Sequence, residues 1–199
     1  FASAREQQDG VIHGHVHDPR AVRLGGVAGH AGLFSTAEDL ARFARMLLGE
    51  GELDGVRVLS RQSVRTLTEP HELGNATRTL GWDVRSAYSK LRGQLLSHRA
   101  FGHGGYTGTS LWIDPAQDLF VIFLSHRVHP DGKGYVLTLA GEVADVASRH
   151  VGRAPLPASC RANVGQVKTG IDVLREQGFA PLRGKRIALV MHSASLARD

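Results

Sequence analysis

The sequence predicts an α+β fold, an antiparallel sheet with helices packed on it, followed by the opening of a separate α/β domain. Three observations point there. Two apolar, β-prone runs, 109–113 and 119–124, flank the turn formers of 115–118, which is a β-hairpin pattern. Apolar residues recur at helical spacing on either side of that hairpin. The composition then changes at 152–162, where Pro155 and Pro157 lie close together beside Ser159 and Cys160.

In chain order, residues 1–24 are polar and carry His13, His15 and His17 at alternate positions. On a strand these rings would share one face, a spacing that could hold a metal; solvated histidines on a loop or edge strand are the other reading, and Pro19 breaks the pattern at once. Residues 25–33 are glycine-rich but lack the Lys-Ser/Thr ending of a phosphate loop. His30, within them, either faces a site or caps a loop. Ser35 and Thr36, with Glu38 and Asp39 three residues on, have capping-box spacing. Leu40, Phe43, Ala44 and Leu47 then mark a helix that Gly49 and Gly51 end.

Further along, 51–58 reads as a turn and Ser60 as the cap of a short helix with Val64 and Leu67 inward. Residues 69–79 read as loop, 80–84 as a strand and 86–96 as a polar connection. After the hairpin, 136–150 reads as a helix with Leu139, Val143, Val146 and Ala147 on one face. Residues 1–150 therefore form one unit and 151–163 a linker. The 36 residues of 164–199 hold a helix start at Thr169, Gly178, and an apolar strand run at 184–191. They are too few for a stable domain alone.

Composition narrows the function. Of 199 residues, 42% are hydrophobic and 22% charged, enough for a packed core. The net charge of +5 is spread without a block of like charges, which argues against nucleic-acid binding. No apolar run is long enough to span a membrane. No signal peptide stands at Phe1, and a single cysteine, Cys160, rules out an internal disulfide.

The chemistry concentrates just before the hairpin, in Gly102-His-Gly-Gly-Tyr-Thr-Gly-Thr109. Glycines in or beside a strand mark a bulge or a close approach to the backbone. This octet resembles the third active-site motif, Lys-Thr-Gly or His-x-Gly, of serine β-lactamases, penicillin-binding proteins and related class C-like esterases. The stretches 16–21 and 32–40 resemble the same superfamily. The resemblance implies a β-lactamase/transpeptidase-like sheet over 1–150, with the motif on the edge strand of the cleft. It implies a substrate-binding and oxyanion site at His103, Gly104, Gly105 and Tyr106, the Tyr106 N–H meeting the charge that acyl transfer develops. It also implies D-alanyl peptide, β-lactam or ester substrates, a role in peptidoglycan turnover, a periplasmic or extracellular place, and neither cofactor nor metal.

That chemistry needs a Ser-x-x-Lys pair, and no serine here has lysine three residues on; a Tyr-x-Asn element is missing too, Tyr88-Ser-Lys90 being the nearest string. The expectation is a nucleophile encoded upstream of Phe1, and a chain that is inactive and marginally stable alone. A non-catalytic cell-wall binding module is the alternative. Lys168-Thr-Gly170 spells the lysine triplet but stands before a helix. Residues 167–174 and 182–190 resemble the start of the exo-β-N-acetylmuramidase family, with His192-Ser-Ala-Ser195 where that family tends to have Asn-x-Thr-Gly.

Overall fold

The computed structural model describes residues 2–7, 10–128 and 133–151. The expected linker and the expected second domain, Lys168-Thr-Gly170 included, lie outside them.

The centre is a six-stranded antiparallel sheet in the order β10-β9-β8-β7-β6-β5. Its strands are β5 (His71–Leu73), β6 (Ala76–Arg78), β7 (Asp83–Arg85), β8 (Phe101–Gly104), β9 (Ser110–Asp114) and β10 (Leu119–Phe123). β9 and β10 form the expected hairpin in unbroken register from Leu119↔Asp114 to Phe123↔Ser110. All ten of their residues are buried. Successive side chains go to opposite faces of a strand, and both faces are covered here. Phe101, Leu111, Ile113, Phe120 and Ile122 pack with α2 (Ala37–Leu48) through Ala41, Ala44 and Leu47. Trp112, Leu119 and Val121 pack with Ala144 of α4 (Leu137–His150) on the other face. Burial on both faces explains why the strand run is continuously apolar instead of alternating.

The helix α2 starts as its sequence directs. Thr36 is the N-cap, its Oγ1 accepting from the Asp39 N–H at 3.1 Å, while Glu38 and Asp39 place negative charge at the positive end of the helix dipole. Gly49 closes it, and Gly51, at φ +93°, donates its N–H to the Met46 carbonyl at 2.8 Å. Phe43 is partly exposed and stacks on Trp82, whose ring meets Phe101 edge-on. Ser60 caps α3 (Arg61–Thr68), which buries Val64 as expected.

Other expectations are corrected. The 69–79 stretch is not loop but the hairpin β5–β6, closed by Gly74 at φ +63° and Asn75, the glycine-first pattern of a type II′ turn. Residues 52–57 hold a two-residue-per-strand hairpin, β3 (Glu52–Leu53) with β4 (Val56–Arg57). The backbone of β1 (Ala2–Gln7) pairs with β2 (Gly10–His13) apart from the main sheet. Of the expected face of α4, Val143 and Ala147 do pack against the core, but its buried residues are Ala140, Gly141 and Ala144, and Leu139 and Val146 are about half exposed. The reason is closeness. A Cβ on Gly141 would stand 2.9 Å from the Lys90 carbonyl, so α4 lies directly on the 3-10 turn Ser89–Arg92. Asp145 secures that contact by accepting from the Gln94 and Leu95 N–H groups at 2.6 and 2.8 Å.

Candidate active site

The strand β8 lies between β7 and β9, not at the sheet edge, and its two ends differ. On the β9 side it pairs along its whole length, Phe101↔Ile113 to Gly104↔Ser110. On the β7 side the register holds only Asp83↔Gly102. The backbone edge of His103 and Gly104 is therefore open on that side, so the expected edge-strand character survives at this end alone.

Side-chain alternation puts His103 on the face shared by Phe101 and Leu111, beyond the ground α2 covers. The His103 ring is exposed, and its Nδ1 lies 2.8 Å from the Gly104 carbonyl. A carbonyl only accepts, so Nδ1 carries the hydrogen and Nε2 of the neutral ring is left as an acceptor. Gly104 lies on the opposite face, where a Cβ would come 2.5 Å from the Leu91 Cδ1. A Cβ on Gly105 would come 2.6 Å from the Thr109 Oγ1. These two positions lie in ground already taken by neighbouring side chains.

Residues 105–108 form a tight reversal. The Gly105 N–H donates to the Thr109 carbonyl at 2.7 Å, and the Gly108 N–H to the Gly105 carbonyl at 3.0 Å. Gly108 sits at φ +104°, which favours glycine. Because the peptide between residues 105 and 106 is planar and trans, fixing the Gly105 carbonyl fixes the Tyr106 N–H in the opposite sense. Among the described residues no acceptor takes up the Tyr106 or the Thr107 N–H. A held, unshared N–H beside an open strand edge can bind a developing oxyanion.

The Tyr106 ring is exposed but not isolated. His17 stacks on it with centroids 5.7 Å apart and an interplanar angle of 13°. The Arg127 guanidinium lies 4.9 Å from the Tyr106 centroid, and its Nη1 donates to the Tyr106 carbonyl at 3.0 Å. The segment that supplies His17 is pinned by Asp18. Asp18 is the N-cap of α1 (Pro19–Arg23), accepting from the Arg20 and Ala21 N–H groups at 2.9 and 2.8 Å, and its Oδ1 also meets the His30 Nε2 at 2.9 Å. The hydrogen bond from Ala21, then that from His30, holds the Asp18 carboxyl below the usual carboxylate value. His30 thereby ties the glycine-rich stretch to the start of α1.

The structure thus brings His103, Gly104, Gly105 and Tyr106 together with His17 and Arg127. His15 is exposed and His17 is turned to Tyr106; the His13 side chain is not described. Among the described residues no three of His, Cys, Asp and Glu gather as metal ligands. Sequence reasoning missed Arg127, although the signal was present. Extending the β9–β10 register sets Ser125 opposite Gly108 and Arg127 opposite Tyr106, and Ser125 Oγ does donate to the Gly108 carbonyl at 2.5 Å.

A six-stranded antiparallel sheet with helices on both faces and this glycine-lined strand end defines the α+β scaffold of the β-lactamase-fold serine hydrolases. The chain belongs to the Beta-lactamase family, whose pattern it matches over residues 1–145. It is 36% identical over 135 residues to proteins described as "Putative D-alanyl-D-alanine carboxypeptidase" from Escherichia coli O157:H7, Escherichia coli K12 and Salmonella typhi. The match covers 61% of this chain and 31% of each relative, so the chain spans about a third of the length of the curated relatives it matches. Among the described residues no helix is long and apolar enough to cross a membrane.

Proposed function

We propose that the chain supplies the oxyanion strand of a serine hydrolase that opens D-alanyl peptide, β-lactam or ester bonds through an acyl-enzyme, in peptidoglycan turnover. The reading rests on one observation above others, the Tyr106 N–H, fixed and unshared among the described residues, at the open end of β8. In this scheme a serine Oγ from polypeptide outside the 199 residues attacks the carbonyl carbon, and a lysine three residues after it takes the proton. Charge moves onto the carbonyl oxygen, where the Tyr106 N–H donates to it. Collapse expels the amine or alcohol with a proton, and water then releases the acid. His103 Nε2 offers a polar contact at the mouth of the cleft, and Gly105, where a Cβ would strike the Thr109 Oγ1, lets the 105–108 reversal close and aim the Tyr106 N–H. Residues 151–163 serve as a linker to an α/β domain of the exo-β-N-acetylmuramidase type beginning at 164, a proposal that rests on sequence alone.

Chromogenic β-lactam and p-nitrophenyl ester assays test the scheme. The 199-residue chain should turn over neither. The full-length protein should acylate, His103→Ala should slow acylation by about tenfold or more, and Gly105→Val should abolish it. Turnover by the 199 residues that a single Ser→Ala change removes overturns the scheme, as does parent-rate acylation by both site variants. A full-length protein that binds peptidoglycan fragments without acylating would support the non-catalytic alternative instead.

A further inference from the structure

We infer that Arg127 is a positioning residue for the oxyanion donor, holding the 105–108 reversal so that the Tyr106 N–H keeps its direction. The inference rests on the reading of Tyr106 given above. It is carried by the way one residue ties three strands of chain together. The Arg127 N–H donates to the Thr107 carbonyl at 2.9 Å, so the main chain of the β10 extension clamps the far side of the turn. Its Nη1 donates to the Tyr106 carbonyl at 3.0 Å and its guanidinium lies 4.9 Å from the centre of the Tyr106 ring. Its Nε donates to the Gly134 carbonyl at 2.7 Å, and its own carbonyl accepts from the Gly134 N–H at 3.1 Å.

These contacts act on the right atoms. The Tyr106 N–H and the Tyr106 carbonyl belong to the two peptide planes that meet at the Tyr106 Cα. The first plane is set by the Gly105 carbonyl, held by the Gly108 N–H. The second is set by Arg127. With both planes fixed, neither φ nor ψ of Tyr106 can drift, and a donor that does not reorient is the one that stabilises a transition state. Arginine suits the task because its planar fork donates in two directions at once while its face lies on an aromatic ring; lysine, a single point donor, reproduces only part of this. Gly134 shows how close the returning chain comes, since a Cβ there would run into the Arg127 carbonyl.

The test compares the full-length protein with Arg127→Met, Arg127→Lys and Gly105→Val forms. It uses an ester substrate and a boronic acid that mimics the tetrahedral intermediate. Arg127→Met should lower kcat by about ten- to a hundredfold, short of the 10²–10³ lost when an oxyanion donor is removed outright. KM should stay within about twofold and boronate affinity should fall with kcat/KM, as for an interaction made in the transition state. Arg127→Lys should recover part of the loss. Hydrogen exchange at the Tyr106 amide should quicken in the Met form while exchange in β9 and β10 is unchanged. A folded Arg127→Met enzyme with parent kcat and boronate affinity overturns the inference. Should the Met form not fold, the Lys form decides: reduced kcat at an unchanged melting temperature supports the positioning role, and parent kcat rejects it. The Gly105→Val arm separates the two claims. Parent-rate acylation there sinks the oxyanion reading itself, whereas an inactive Gly105→Val beside a parent-like Arg127→Met sinks only the part given to Arg127.

Discussion

The two ends of β8, three residues apart, are built on opposite terms. At the first end Phe101 is buried in the α2 cluster and Gly102 lies under the Trp112 ring, paired on both sides. At the second end His103 and Gly104 pair on one side only and the histidine is exposed. The difference lies in what each glycine is for. A Cβ on Gly102 would come 2.3 Å from the Leu111 carbonyl and 2.6 Å from the Trp112 ring, atoms locked in the sheet. A Cβ on Gly104 would meet a Leu91 methyl, which can turn aside. Packing rigidity at one end thus holds the exposed chemistry of the other in place.

Trp112 is the strongest lever on the packed end. It is 1% exposed and joins β9 to α4. Trp112→Ala should cost about 3–5 kcal/mol, the range for truncating a buried aromatic residue. Urea denaturation followed by circular dichroism measures it. A loss below about 1 kcal/mol would mean that the sheet face under α4 is not the structural half of the comparison.

How much of this was legible in the sequence follows the same division. The packed region announced itself because its energetics are local. The Leu119-Phe-Val-Ile-Phe123 run, the Thr36 N-cap and the Ser60 cap each carry their signal within a few residues, and all three stand as expected. The face of α4 did so only in part, through Val143 and Ala147, because periodicity favours large apolar residues, whereas close approach to the Ser89–Arg92 turn selects Ala140, Gly141 and Ala144. The hairpin β5–β6 escaped because its side chains are mostly polar and all partly or wholly exposed; only Gly74-Asn75 marked it. At the candidate site the motif gave the residues on β8 but not Arg127 or the stack with His17. Those depend on register between distant stretches, which local composition does not encode.

The glycines sharpen the comparison next. Gly102→Ala should destabilise by about 2–3 kcal/mol, the upper part of the range for overpacking against atoms that cannot yield. Gly104→Ala, needing only a Leu91 rotation, should cost about 1 kcal/mol or less. Melting temperatures of the two variants measured side by side decide it. Equal losses would show that the open end is as tightly held as the packed one.

At His103 stability and function should part company. The exposed ring contacts only its neighbouring carbonyl among the interactions the structure shows, so His103→Ala should change unfolding free energy by no more than about 0.5 kcal/mol. A thermal melt of the full-length protein reads this without any activity. A loss above about 1.5 kcal/mol would place His103 in the structural half and weaken its assignment to the cleft.

The smallest effect concerns the Asp18 anchor, which carries the His17 side of the Tyr106 stack. Its carboxyl accepts from Ala21, His30 and Arg20, and these bonds favour the ionised form, lowering its pKa from the usual 3.8. A depressed folded-state pKa gives a contribution that is fully present above the unfolded value and is lost as pH falls through the folded one. The stability gap between parent and Asp18→Ala should therefore be constant from neutral pH down to about 3.8 and narrow below it. A ¹³C titration of the Asp18 carboxyl should place its midpoint below 3.8 in the parent. In His30→Ala the midpoint should move up only part of the way, because the Ala21 N–H is the larger cause and remains. A midpoint that returns fully to the ordinary value in His30→Ala would mean that the histidine, not the helix N-terminus, fixes Asp18. A midpoint that does not move at all would mean that the His30 contact contributes nothing to holding the glycine-rich loop beside the site.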